Sequence, residues 1–586
     1  VVVTEKPIIE VKNLSFKYID SQHLVLDNIN LKIYEGETVL ILGPSGCGKS
    51  TLALCLNGII PHAIKGDMKG EVIIDGVNTK YCSLHELTQK VGIVFQDPET
   101  QFCTLYVEDE VAFGPENLCL SKEEIEKRIN QSLKQVELLK HIKTRLDKLS
   151  GGEKQRLALA AILAMNPKII IFDEPTSNLD PLGTNNVFSI IKKMSEDPTK
   201  TIVLIEHKID DIIDIVNRVF IMNANGTIID SGPPREIIER VSEKYKELGI
   251  WIPQVSELAI FLREHYDILR NETIPLTVEE AINFLDKLNI IEKLTRSQYM
   301  IKKIEKPSEV AISIKDLEFR YPDGTLALKR VNLEVLKGDF LAIVGGNGSG
   351  KTTLALCIIG AFPIPKGRVY INGKDITSMT RYEIAKEVGY VFQYPEHQFI
   401  EAKVFDEVAF SLKVRKVSLE EIEKRVTNIL KLFSLDKYAS SNPFILSQGE
   451  KRRLSVATML IVEPNILILD EPTFGQDEQN SRYIMELLKK LNEKGKTIIM
   501  ITHDMNLVAK YAKTVAVMSN GEIIFNGTVE ELFERDDVMN EAKLFPPPLI
   551  RLSRILKHKY PNFINIKYPE AIIEMIINEE NRFTTI

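Results

Sequence analysis

The amino-acid sequence predicts a duplicated α/β protein: two successive domains, each organised around a phosphate-binding loop. Three observations predict it. A glycine-rich block follows a short apolar run and opens a helical pattern twice, as VLILGPSGCGKSTLALCLNG at 39–58 and LAIVGGNGSGKTTLALCIIG at 341–360. Two continuous apolar runs ending in paired acids, KIIIFDEP at 168–175 and NILILDEP at 465–472, read as strands buried on both faces. Other segments recur in the same order, VGIVFQDPETQF at 91–102 as VGYVFQYPEHQF at 388–399 and LSGGEKQRLALA at 149–160 as LSQGEKRRLSVA at 446–457. A period of this size marks duplicated domains rather than a solenoid.

The 586 residues leave room for several cores, since a domain takes roughly 150 residues. Apolar residues make up 44% and charged residues 27%, with a net charge of −8, so no general attraction to nucleic-acid phosphates is expected. The six cysteines form no CxxC pair, which argues against a zinc or iron–sulfur site and for free thiols in a reducing compartment. No stretch reaches the roughly 18 apolar residues of a membrane span, and VVVTEKP at the start lacks the form of a signal peptide. A membrane connection would therefore run through partner proteins.

Each domain carries a small helical appendage. PQVSELAIFL at 253–262 matches PPLIRLSRIL at 547–556, with Val255, Leu258, Phe261 and Leu262 answered by Leu549, Leu552, Ile555 and Leu556 as one apolar helical face. Thr277 and Glu280 have the spacing of a capping box, and the charged KKIEKPSEV near 300–310 is the expected linker. The expected division is thus a first domain at 1–240, an extension and linker at 241–306, a second domain at 307–535 and a C-terminal extension at 536–586.

The chemistry follows from residue type and spacing. Gly43, Pro44, Ser45, Gly46, Cys47, Gly48, Lys49, Ser50 and Thr51 form one phosphate loop, and Gly345, Gly346, Asn347, Gly348, Ser349, Gly350, Lys351, Thr352 and Thr353 the other. Glycines let backbone amides turn inward around a phosphate chain, and the helix N-terminus adds partial positive charge. Lys49 and Lys351 would neutralise β and γ phosphates, with the hydroxyls of Ser50 and Thr352 on Mg²⁺. Asp173 and Asp470 would hold the same ion, and Glu174 and Glu471 would polarise the attacking water. ATP and Mg²⁺ are the expected cofactors.

LSGGE at 149–153 and LSQGE at 446–450 resemble the signature of ABC ATPases, and the resemblance covers nearly the whole chain. It implies two tandem ABC ATPase domains of the P-loop NTPase fold, each with a helical signature subdomain and a small helical C-terminal extension. It also implies adenine-stacking roles for Tyr18 and Tyr321, lid glutamines at Gln96 and Gln393 that sense Mg²⁺ and water, and switch histidines at His207 and His503. The family pairs the phosphate loop of one domain with the signature of the other. Carried over, Lys49, Gln96, Glu174 and His207 act with Ser447, Gln448 and Gly449, and Lys351, Gln393, Glu471 and His503 act with Ser150, Gly151 and Gly152. Gln448 departs from the family's first signature glycine, and TFGQD replaces TSNLD after the second acid pair, so unequal turnover of the two sites is expected.

The segments after each lid glutamine, QDPETQF with VEDEVAFGPENL and QYPEHQF with VFDEVAF, are similar to those of energy-coupling factor ATPases of the cobalt and vitamin uptake type. LNGIIPH at 56–62 and LGIWIPQVSELA at 248–259 add to the match. This resemblance implies a peripheral protein on the cytoplasmic face of the membrane, docked on a transmembrane coupling protein beside a small substrate-capture protein. Phe102 and Phe399 are candidate contacts there, with core packing the equal alternative. Thiamine precursors, other vitamins and cobalt or nickel ions all fit as cargo, NGIIPH tilting towards thiamine or its pyrimidine precursor. The rival reading is a tandem ABC ATPase acting on ribosomes. Such a protein would carry a long basic linker, whereas 241–310 holds 10 Lys/Arg and 12 Asp/Glu.

Overall fold

The computed structural model describes residues 6–19, 21, 23–266, 272–286, 309–560, 563 and 565–572. The chain divides into two compact units, Val1–Leu288 with Asp477–Gln479 and Asn289–Gln476 with Asn480–Ile586.

Among the described residues the first unit holds ten strands: β1 (Ile9–Tyr18), β2 (Leu26–Ile33), β3 (Thr38–Leu42), β4 (Gly66–Ile74), β5 (Val77–Asn78), β6 (Val91–Val94), β7 (Ile169–Asp173), β8 (Thr201–Ile205), β9 (Arg218–Met222) and β10 (Ile228–Gly232). They form two sheets, ordered β10-β9-β3-β8-β7-β6 and β2-β1-β4-β5. The larger is parallel from β6 through β9, with β10 antiparallel at its edge. Every residue of β3, β6, β7 and β8 is buried, the pattern of a sheet covered on both faces. The apolar runs in the sequence are therefore strands for the reason they were read as strands: both faces are inside.

Three helices, Val107–Asn117, Lys122–Gln135 and Gly151–Met165, lie between β6 and β7 in the chain and pack on one another. Ser150 caps the third, accepting from the Glu153 amide, while Glu153 accepts from the Ser150 amide. Ile129 and Leu133 of the second helix and Leu157 of the third are buried, and the two helices pack on each other.

The second unit repeats the plan with β11 (Val310–Arg320), β12 (Leu326–Leu336), β13 (Phe340–Val344), β14 (Val369–Ile371), β15 (Lys374–Asp375), β16 (Val388–Val391), β17 (Ile466–Asp470), β18 (Thr497–Ile501), β19 (Thr514–Ser519) and β20 (Glu522–Thr528). Its sheets run β16-β17-β18-β13-β19-β20 and β12-β11-β14-β15. Helices Val404–Val414, Leu419–Leu432 and Gln448–Leu460 precede β17 in the chain.

Both appendage helices form, at Gln254–His265 and Pro548–Lys559, but each apolar stripe is narrower than the sequence suggested. Val255, Leu258 and Leu262 are buried, as are Leu549, Leu552 and Leu556, whereas Phe261 is half-buried and Ile555 is 43% exposed. Phe261 and Ile555 stand six residues after the first stripe residue, roughly 240° round the helix and off its buried face. Ser256 and Ser553 take the inner positions instead, bonded to the carbonyls of Pro275 and Leu549. The capping box at Thr277 is half made. Thr277 accepts from the Glu280 amide at 3.3 Å, but Glu280 returns its bond to the amide of Leu276, one residue earlier than the motif expects. The linker at 300–310 lies outside the described residues but for its last two, Glu309 and Val310.

Among the described residues no helix is long and apolar enough to cross a membrane.

Candidate functional site

In a parallel sheet the loops after the strands emerge at one edge, and the crevice beyond the strands' carboxyl ends is where ligands bind. Four separate sequence segments arrive there in the first unit. The glycine-rich loop follows β3, Gln96 follows β6, Asp173 and Glu174 close β7, and His207 stands two residues beyond β8.

The loop 43–50 turns into helix Lys49–Asn57 through Gly48, whose φ of 97° is left-handed. A Cβ on Gly48 would come within 2.8 Å of the Val25 carbonyl, so glycine is required here by both backbone and space. Lys49 is buried, and its ammonium donates to the carbonyls of Gly43 at 2.8 Å and Pro44 at 2.9 Å. Lys351 does the same to Gly345 at 2.8 Å and Gly346 at 2.9 Å. A cation is thus held at the mouth of each loop, where the first-turn amides of the following helix have no intrahelical partner.

Ser50 donates to Asp173 Oδ1 at 3.0 Å, and Thr352 to Asp470 Oδ2 at 2.8 Å. A hydroxyl and a carboxylate converging in this way are the hard oxygen donors a magnesium ion takes, and they fit it. Burial pushes the Asp173 carboxyl up to about 6 against the opposing Ser50 bond. Burial also raises Asp470, which accepts a further bond from Tyr390 at 3.1 Å.

Glu174 and Glu471 both adopt a left-handed φ of 47°, a strained conformation for a residue with a side chain. Their amides nevertheless stay paired, to Ile205 at 2.8 Å and Ile501 at 2.9 Å, so the neighbouring strand holds the strain in place. His207 Nε2 sits 3.1 Å from Glu174 Oε1, and Gln96 Nε2 donates to Glu174 Oε2 at 3.0 Å. Burial alone would raise Glu174, but the His207 bond and charge together with Lys49 outweigh it and the carboxyl is lowered. In the second unit His503 Nδ1 lies 2.7 Å from Glu471 Oε1 and Thr502 donates to Oε2 at 3.2 Å.

The remaining candidate residues fall into three places. Tyr18 and Tyr321 reach the loop helices, bonding Thr51 at 3.1 Å and Thr353 at 2.9 Å, and present rings already edge-on to Phe16 and Phe319. Ser150 and Ser447 head the signature helices, each hydroxyl donating to the glutamate three residues on at 2.8 Å. Gly151 is exposed with nothing within 4 Å of an added Cβ, whereas Gly449 is buried against Asn480. Gln448 turns its amide to Glu396 of its own unit at 3.3 Å. Of the two readings open for Phe399, the structure shows core packing: it is buried in the core, edge-on to Phe444. Phe102 is half-buried beside Leu105 and Tyr106, which are exposed.

Two residues escaped the reading of the sequence. Glu206 is buried before His207, accepting from Thr176 at 2.7 Å and from the His207 amide at 2.8 Å. Arg452 is buried beneath the lid segment of the second unit, bonded to the carbonyls of Phe392 and Gln393. The available signal was a mismatch between the repeats, Glu206 against Thr502 and Gln155 against Arg452.

A parallel sheet edge carrying a lysine-bearing glycine loop, a hydroxyl–aspartate pair and a glutamate–histidine pair defines a nucleoside triphosphatase, and here it is present twice. The ABC transporter family model matches residues 26–177 and again 328–474, and the chain belongs to that family as an ATP-binding, ATP-hydrolysing protein. It is 40% identical to a Methanosarcina acetivorans protein named "Putative ABC transporter ATP-binding protein" over 94% of this chain and 91% of that one. It is 36% identical to the Bacillus subtilis "Putative HMP/thiamine import ATP-binding protein YkoD" over 92% and 95% of the two chains. A solved Clostridium perfringens structure, described as cbiO1, part of the ABC transporter complex cbiONQ, aligns at 35% identity over 43% of this chain and 99% of that chain, with a TM-score of 0.37.

Proposed function

We propose that this chain is the ATP-hydrolysing subunit of an energy-coupling-factor-type importer for a vitamin or metal ion, docked on the cytoplasmic face of the membrane through a transmembrane coupling protein that works with a small substrate-capture protein. The observation that carries the proposal is the apolar surface after each lid glutamine. Leu105, Tyr106 and Phe113 are 63%, 42% and 46% exposed in the first unit, and Ile400, Phe410 and Val414 are 68%, 36% and 58% exposed in the second. Only Phe113 and Phe410 are equivalent in the repeat, but both segments expose apolar residues in the stretch after the lid glutamine, and apolar surface of this kind favours a protein-docking face. The sequence similarity to a protein named for thiamine import supports the choice of importer.

In this reading the domains are those expected from the sequence, 1–240 and 307–535, each followed by its extension. Lys49 and Lys351 release their loop carbonyls to take up β and γ phosphates. Glu174 and Glu471 orient and deprotonate the attacking water, each held by its histidine, while Gln96 and Gln393 report the γ-phosphate to the docking segment. Ser50 with Asp173, and Thr352 with Asp470, would hold Mg²⁺, which supplies charge neutralisation to the phosphate oxygens. Each ATP is sandwiched between one unit's loop and the other's signature, so that triphosphate favours closure because it touches both faces only in the closed form.

Purification of the full chain from native membranes tests this. Copurification of integral membrane proteins, and its loss when Leu105, Tyr106 and Phe113 are replaced by serine, is expected. Recovery with ribosomal proteins and no membrane protein would overturn it in favour of the rival reading.

A further inference from the structure

The two lid segments are fastened to their signature helices in different ways. In the first unit Gln101 donates to the Ala158 carbonyl at 3.4 Å, Lys154 pairs with Glu99, and Gln155 donates to the Phe95 carbonyl at 3.3 Å. In the second, Gln398 donates to the Ser455 carbonyl at 3.0 Å, Lys451 and Gln448 both reach Glu396, at 2.9 and 3.3 Å, and Arg452 stands where Gln155 stood. Arg452 is among the largest fully buried side chains of the protein, 1% exposed. One arm of its guanidinium donates to the Phe392 carbonyl at 2.6 Å and the other to the carbonyl of Gln393, the lid glutamine itself.

A buried guanidinium with carbonyl acceptors and no carboxylate bonded to it is costly, and its Nε is buried without a partner. Burial lowers its pKa to about 10, while the nearby charges of Asp470, Glu471 and Glu396 act in the opposite direction. Two of those three are the acids of the candidate site. A neutral glutamine fills the equivalent space in the first unit, so the fold does not need the charge there.

We propose that Arg452 is a positioning residue for ATP hydrolysis, clamping the backbone of Gln393 to the signature helix so that lid glutamine and signature of the second unit shift as one body, whereas in the first unit the residue at this position, Gln155, holds one carbonyl, that of Phe95, and does not bond the backbone of the lid glutamine. The proposal rests on the reading of Gln393 as a lid glutamine of an ATPase. Two carbonyls held by one rigid fork fix both position and direction of the Gln393 backbone, which an amide holding one carbonyl cannot do. The clamp makes the site with Lys351, Gln393 and Glu471 the more tightly organised of the two.

Arg452→Gln, copying the first unit, and Arg452→Lys are the tests, in the full chain. Hydrogen exchange should rise across 389–399 in Arg452→Gln, with the equivalent segment 92–102 unchanged, and Arg452→Lys should lie between. In a Glu174→Gln chain, whose remaining turnover depends on Glu471, Arg452→Gln should lower kcat roughly 10- to 100-fold with KM for ATP little changed, and lysine should restore part of it. Unaltered exchange across 389–399 would overturn the proposal. So would a Lys variant no better than Gln, or a rise in KM with kcat retained. If Arg452→Gln does not fold, the Lys variant answers the same two questions. Loss of hydrolysis in Lys351→Ala beside an indifferent Arg452→Gln sinks the clamp alone, whereas hydrolysis that survives both Lys49→Ala and Lys351→Ala sinks the ATPase reading beneath it.

Discussion

His207 meets Glu174 through Nε2 at 3.1 Å, whereas His503 meets Glu471 through Nδ1 at 2.7 Å. The glutamates' second oxygens differ as well, held by Gln96 in the first unit and by Thr502 in the second. Two carboxylates in the same strained backbone thus face different hydrogen-bond donors. Glu174→Gln and Glu471→Gln, assayed separately for steady-state ATPase, are expected to lower turnover at the altered site by roughly 10²- to 10⁴-fold, and to leave different residual rates. Indistinguishable rates would remove the inequality of the sites.

The phosphate loops should tolerate nothing at the last glycine. Gly48→Ala would place a Cβ within 2.8 Å of the Val25 carbonyl and 2.9 Å of Leu26 in a left-handed backbone. A strained conformation of this kind costs about 1–3 kcal/mol, and moving the loop to relieve it displaces the amides that face phosphate. Loss of nucleotide binding in a titration with fluorescent ATP is expected, with the unfolding temperature lowered. Gly151→Ala, which meets open space, should leave the unfolding temperature unchanged.

Removal of divalent ions tests the hydroxyl–aspartate pairs. Chelation should stop hydrolysis and added Mg²⁺ should restore it, because the phosphate charge is otherwise uncompensated. Thr352→Val removes the donor 2.8 Å from Asp470 and should raise the Mg²⁺ concentration needed for half-maximal activity. An unshifted Mg²⁺ requirement would exclude Thr352 from the ion's surroundings.

Glu206 gives a pH signature of stability. It is fully buried, and desolvation raises its carboxyl above the ordinary value, opposed by the Thr176 hydroxyl and the Lys208 amide. With the folded pKa above the unfolded one, its contribution is fully present below the unfolded value and is lost as pH rises through the folded one. Glu206→Gln should therefore flatten the fall in unfolding midpoint between acid and neutral pH. Equal slopes for the two proteins would show that ionisation of Glu206 is not coupled to folding.

Much of the fold could be read without coordinates because burial on both faces leaves a direct mark. Ile169–Phe172 and Ile466–Leu469 are apolar throughout because every residue of these strands is buried, whichever face it points to. The appendages were harder, since a helix stripe tolerates apolar residues at its margin, and Ile555 differs from Leu552 only in its angle round the axis. Phe102 and Phe399 show a further limit. They are the same residue at the same place in the repeat, yet Phe399 has Phe444 to pack on and is buried, while Phe102 is left half-buried.

What the sequence by itself determined is the inventory of chemistry: two phosphate loops, two acid pairs, two signatures and the order in which they come. Those features are local, since a glycine turn or a capped helix start is specified by a handful of neighbouring residues. Only the tertiary structure decided which groups meet. That Glu174 lies beside His207 and Gln96, or that Arg452 reaches the carbonyls of the Gln393 segment, depends on strand order and on side chains distant in the chain. The physical reason is that hydrogen bonds act over about 3 Å, and no spacing along a chain specifies which remote atoms will come that close.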